Sequence, residues 1–131
     1  MAMGGAYLLA KALHDTTDYQ EAFQRYEEQM SVYVVANLVI RDREEYGRYV
    51  RAFMPVFREF EGEVLSVQDS PQAIEGSWRY SRTVLLRLPS EQHLRAWYES
   101  PGYQAIAKHR WNAAESDVVV LKEFAPSAKA P

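Results

Sequence analysis

Two segments of this chain, Val32–Ile40 (VYVVANLVI) and Arg82–Leu88 (RTVLLRL), are apolar on both faces of an extended backbone. In the first, Val32, Val34, Ala36, Leu38 and Ile40 share one face, while Tyr33, Val35, Asn37 and Val39 share the other. A strand of that kind needs cover on both sides. Both segments therefore belong at the centre of a layered structure. Two further strands fit beside them: Glu63–Gln68, polar enough for an edge, and Val118–Phe124 (VVVLKEF) at the end.

Helical periodicity fills the gaps between them. Asp42 with Glu45 has capping-box spacing and starts a helix, whose stripe is Tyr46, Tyr49, Val50, Phe53, Phe57 and Phe60. Pro55 falls inside that stripe and is expected to kink or restart the helix, because it lacks a backbone donor; Gly62 is placed to end it. Asp69–Ser77 (DSPQAIEGS) is a turn-rich excursion. Ser90 caps a second helix that turns Leu94, Trp97 and Tyr98 inward. Ser100–Pro101 then starts a further turn through Tyr103, Ile106 and Ala107 to Trp111.

The order strand–helix–strand–strand–helix–strand predicts an α+β, ferredoxin-like βαββαβ sheet with strands one and three in the middle. Helices on one side leave the other side bare. Leaving roughly 600 Å² of apolar sheet in water would forfeit on the order of 15 kcal/mol, as much as a whole domain's stability. A homodimer joined through the sheet faces is the expected remedy.

Residues 31–124 form this domain. Residues 1–30 read as an N-terminal helical extension: Ala6–Leu13, then a helix capped by Thr17 with a stripe of Tyr19, Ala22, Phe23, Tyr26 and Met30. Residues 125–131 (APSAKAP) read as a loose tail. Cysteine is absent, which removes disulfides, zinc–thiolate sites and thiol nucleophiles. No histidine pair has metal-ligand spacing, so no metal is expected. The net charge of −3, with no basic run longer than a pair, argues against nucleic acid. Apolar runs are too short for a bilayer, and Met1–Leu13 lacks the basic leader of a signal peptide. A cytoplasmic location is expected.

From Tyr33 onward the chain resembles a bacterial family, the domain of unknown function numbered thirteen-thirty, within the dimeric α/β-barrel superfamily. The likeness rests on Tyr33–Ala36 (YVVA), Asp42 with Tyr46 and Tyr49, Glu75-Gly76 before Arg82, and Trp97–Tyr103 (WYESPGY) leading to Arg110. It implies two sheets stacked across a dimer, and little about activity. Residues 5–27 are also similar to the last helices of flavin-dependent aromatic hydroxylases, through Gly5–Leu13 and Ala22 to Glu27. No Gly-rich dinucleotide loop follows any strand, so no flavin or other cofactor is expected. A gene remnant and a chance helix pair recruited to pack on the domain are the two readings of that segment.

Candidate chemistry gathers around the helices. Trp97 and Tyr103, with Tyr46 and Tyr49 opposite, can line an aromatic pocket. Arg110, two turns beyond Tyr103, can meet a carboxylate or an enolate there, and Arg82 is a second candidate anion anchor. Asn37, mid-strand, can orient a ligand, as polar groups do in cofactor-free oxygenases of the superfamily, or bond across the dimer. His109 can act as a general base, although its place beside Lys108 and Arg110 also suits a solvated helix end. The same aromatic spacing also serves a plain core. Two functions follow. One is a protein that binds or converts a small aromatic or carboxylated molecule by cofactor-independent oxygenation or isomerisation, with Arg110, Tyr103 and His109 catalytic and Trp97, Tyr46, Tyr49, Arg82 and Asn37 binding. The other is a non-catalytic accessory or regulatory module.

Overall fold

The structure is a computed structural model that describes residues 19–21 and 30–124; the expected N-terminal helices and tail fall almost wholly outside them. Strand β1 spans Val32–Ile40, helix α1 Arg43–Phe57 with a 3-10 turn at Arg58–Phe60, and β2 Glu63–Asp69. Strand β3 spans Arg82–Leu88, α2 Glu91–Glu99, α3 Pro101–Ala113, and β4 Ala114–Lys122. The sheet is antiparallel in the order β2-β3-β1-β4. The two doubly apolar strands are thus the central ones, and the architecture is α+β and ferredoxin-like.

Caps set the helix starts. Asp42 accepts from the Glu45 amide at 3.0 Å, Ser90 from His93 at 3.2 Å and Ser100 from Tyr103 at 3.1 Å. Helix α1 runs through Pro55 as one element and only then tightens, with the Arg58 amide reaching the carbonyls of Met54 and Val56. Its left-handed terminal residue is Glu61 (φ 61°), not Gly62. Gly62 is required for another reason: a Cβ there would overlap the ring of Phe57, which is fully buried.

Strand β4 begins four residues earlier than its sequence pattern suggests. Helix α3 passes into it without a loop, and the amides of Arg41 and Asp42 both donate to the Ala113 carbonyl (2.8 and 3.1 Å). That junction pins Ala114–Asp117 against Ile40–Asn37 of β1. Tertiary pairing overrides the polar sequence there.

One face of the sheet carries Val32, Val34, Leu38, Leu86 and Leu88, buried against Tyr46, Tyr49, Phe57, Trp97, Tyr103, Ala107 and Ala113 of the helices. The other face presents Tyr33, Val35, Val39, Leu85, Val119 and Leu121. The described chain leaves it open, with Val119 and Leu121 each 52% exposed.

Candidate functional site

Between the helices and the sheet lies a cavity of about 800 Å³. Its floor is Val34, Ala36 and Leu38 of β1 with Val84, Leu86, Val118 and Val120 of the neighbouring strands; Tyr46, Tyr49 and Phe53 of α1, Trp97 and Tyr98 of α2, and Tyr103 and Arg110 of α3 wall it. Helical spacing produces this wall. Tyr46, Tyr49 and Phe53 recur three and four residues apart, and Tyr103 and Arg110 lie seven apart, so each set shares a helix face. Tyr98, expected to face inward, is 40% exposed at the cavity rim.

Arg110 dominates the electrostatics. It is 6% exposed, its Nη2 donates to the Tyr103 hydroxyl at 3.3 Å, and its guanidinium lies 5.6 Å from the Tyr49 ring centre. Among the described residues no carboxylate forms an ion pair with it. Burial works against its charge, but the Tyr103 and Tyr49 hydroxyls outweigh that and its pKa is raised. The group is therefore a buried, permanent cation without a counter-ion, a costly arrangement for an empty core.

The tyrosines extend the pattern. The Tyr49 and Tyr103 hydroxyls are 2.7 Å apart. One proton serves that bond, so whichever hydroxyl donates, the other proton is left for a third acceptor. Arg110 likewise keeps N–H groups beyond the one Tyr103 receives, and guanidinium accepts nothing. This end of the cavity thus offers donors, suited to an oxyanion, a carboxylate or a carbonyl oxygen. Burial pushes the Tyr49 hydroxyl well above the usual phenol range, Tyr103 adds to the rise and Arg110 opposes it; burial also raises Tyr46, against Arg82. Tyr49 and Tyr46 therefore stay protonated as donors near neutral pH.

Arg82 differs from Arg110. It too lines the cavity, 5.3 Å from the Tyr46 ring centre, but Asp69 grips it through two bonds of 2.6 and 3.2 Å. Asp69 was invisible as its partner in the sequence, because only the β2–β3 register sets the two opposite each other. Trp97 is 3% exposed and supplies a ring: it lies 4.5 Å from Tyr103 and meets Phe57 edge-on at 5.0 Å, while its indole N–H has no hydrogen-bond partner among the described residues.

Two residues named with this set lie elsewhere. His109 does not line the cavity; its Nδ1 bonds Glu45 at 2.6 Å, bridging α3 to the start of α1. Asn37 sits on the open face, where its side-chain oxygen accepts from Thr83 at 3.0 Å within the sheet.

The model of one family, the domain of unknown function DUF1330, matches residues 31–124. The chain belongs to the DUF1330 family. No curated protein matches it. Among solved structures, this DUF1330 chain is similar to a protein of unknown function from Rhodopseudomonas palustris, with 20% identity and a TM-score of 0.65 over 85% of this chain and 95% of that one. It is also similar to SnoaB, a cofactor-independent oxygenase from Streptomyces nogalater (12% identity, TM-score 0.54, 72% and 94% covered). A third is a dimeric ferredoxin-like protein of unknown function from Thermobifida fusca (15% identity, TM-score 0.54, 75% and 95% covered). At these identities the likeness establishes the fold. No helix among the described residues is long and apolar enough to cross a membrane.

Proposed function

We propose that the helix-side cavity of this DUF1330 protein binds and converts a small aromatic molecule bearing an acidic or enolisable oxygen. The observation that carries this reading is Arg110: buried, charged, without a carboxylate, at the end of an apolar cavity large enough for such a ligand. The ligand's oxygen accepts from Arg110 and from the spare hydroxyl proton of the Tyr49–Tyr103 pair, and its ring stacks among Trp97, Phe53 and Tyr98. An enolate formed there is stabilised by a charge already in position. In cofactor-independent oxygenation, the activity of SnoaB, such an enolate itself supplies the electrons that reduce dioxygen. In isomerisation the proton lost from one carbon of the acidic substrate passes to solvent water, and another reaches a second carbon from the Tyr103 hydroxyl, which recovers its proton from solvent.

One observation favours a second reading, a binding module without catalysis. His109 is held by Glu45 outside the cavity, and the carboxylates among the described lining residues, Glu91 and Glu99, are on α2, where Glu91 is paired with Arg95 and neither forms an ion pair with Arg110. A substrate must then supply its own acidity. Turnover of the true substrate by Arg110→Ala at the wild-type rate would exclude Arg110 from chemistry; retained binding with no product from any ligand would leave the module reading.

The same protein is proposed to pair through its open sheet faces. The support is the uncovered apolar row Tyr33, Val35, Leu85, Val119 and Leu121, together with the dimeric state of the Thermobifida fusca protein. Light scattering across a dilution series tests it.

A further inference from the structure

We infer that the connection 70–81 between β2 and β3 is an arm that grips a second copy of the chain at the rim of the open sheet face. This rests on the reading that the open faces pair.

Ile74, at the tip, is 96% exposed, and Trp78, on the return, is 46% exposed. Apolar side chains this bare, presented together, mark a contact surface when the backbone that carries them is fixed. Here it is fixed. The root is closed by the Ser70 amide on the Ser81 carbonyl, the Ser81 amide on the Leu38 carbonyl (both 2.8 Å), and the Ile40 amide on the Ser81 hydroxyl at 3.0 Å. Farther out, Tyr80 donates to Asp117 at 2.5 Å, while Arg79 bridges Asp117 and Glu115 at 3.3 and 3.5 Å. Trp78 packs edge-on against Tyr80, and Arg79 covers the Tyr80 ring.

The position of those anchors selects the occupant. Asp117 and Glu115 lie opposite Asn37 and Val39 in the register, and so project from the open face, not the helix face. The arm is therefore stapled to the side that the second copy covers. Sheets stacked face to face lie only roughly 10 Å apart. An arm tied along one rim of that layer meets whatever body fills it. In a two-fold pair each arm meets the partner, and the contact occurs twice, which places Ile74 and Trp78 where they lose their exposure without disturbing any contact inside their own chain.

The test uses the full chain by sedimentation velocity over a dilution series, comparing wild type, the double variant Ile74→Asp/Trp78→Ser, and Leu85→Asp at the centre of the open face. The arm predicts that the double variant weakens dimerisation by about 30-fold or more with an unchanged circular-dichroism spectrum and melting temperature. In a Trp111→Phe background, it also predicts that Trp78 emission shifts to the blue as the dimer forms. A wild type that is monomeric at every concentration overturns both the pairing and the arm. Leu85→Asp dissociating while the double variant dimerises like wild type overturns the arm alone. So does a double-variant defect accompanied by loss of fold.

Discussion

The two faces of this sheet are both apolar, yet they differ in how completely their polar groups are matched; on the helix face Arg82 is paired with Asp69 but Arg110 is not paired with any carboxylate among the described residues. On the open face polar side chains are matched within the chain: Asn37 with Thr83, Arg87 with Glu63, and Asp117 with Tyr80 and Arg79. On the helix face, among the described residues, Arg110 has no carboxylate, the Tyr49–Tyr103 pair has a proton to spare, and two buried side-chain atoms without partners, the Trp97 indole nitrogen and the Ser116 hydroxyl, lie on that side. A surface whose polar groups are already satisfied loses little when another protein covers it. A cavity whose donors are left over costs stability until an acceptor arrives. That difference is what supports the proposal that association belongs to one face and ligand recognition to the other.

The largest expected effect breaks the open face. Leu85→Asp should raise the dimer dissociation constant by about a thousandfold, because an unpaired carboxylate would be buried between sheets; sedimentation velocity reads it, and a dimer that survives would remove that face from the interface. Next comes Arg110→Met, which keeps the volume and deletes the charge. Affinity for an aromatic carboxylate should fall about 100-fold by calorimetry, while the ligand-free protein melts no lower than wild type, because a buried unpaired charge has been removed. A loss of stability with unchanged affinity would make Arg110 a structural residue. Tyr103→Phe should weaken the same ligand about tenfold and cost on the order of 1–2 kcal/mol of stability, since Arg110 then loses the hydroxyl acceptor that Tyr103 supplies; an affinity equal to wild type would leave Tyr49 as the donor.

The smallest effect is one of pH. Glu45 is held below its ordinary pKa by its hydrogen bond to His109, with Arg48 adding to it. Asp69 and Glu115 are lowered by Arg82 and Arg41 respectively. In each case the unfolded chain binds protons more readily than the folded one. The stability they contribute is therefore present above the usual carboxylate range and lost as pH falls through the lowered folded values. Melting temperature should decline on acidification below that range, and Glu45→Gln should flatten its share of the decline. A variant with the wild-type slope would mean that the His109 bond contributes nothing.

Much of this fold is legible in the sequence because hydrophobic period is local. The bounds of β1 and β3, the caps at Asp42, Ser90 and Ser100, and the central place of the two doubly apolar strands all follow from residues near one another. The start of β4 does not. Glu115 and Asp117 read as loop until their partners Arg41, Arg79 and Tyr80 are brought alongside from distant parts of the chain. The same limit governs the site. Sequence nominates Arg110, Arg82 and His109 alike, but register gives Asp69 to Arg82, and helix packing gives Glu45 to His109. Only the isolation of Arg110 singles it out as the proposed anchor, and isolation is a property of everything around it. Cavity volume is no more local, and the periodicity that predicts a plain core predicts the wall of an empty one equally well.

The most direct test is a thermal-shift comparison of matched aromatic carboxylates and their carboxamides, across naphthalene and larger ring systems, on wild type and Arg110→Met. A ligand at a hundred times its dissociation constant adds about 2.7 kcal/mol, well within reach of the measurement. The account predicts that carboxylates raise the melting temperature of wild type, that the amides of equal shape raise it far less, and that the difference disappears in Arg110→Met. Equal shifts for acid and amide in wild type, or an undiminished preference for the acid in Arg110→Met, would contradict it.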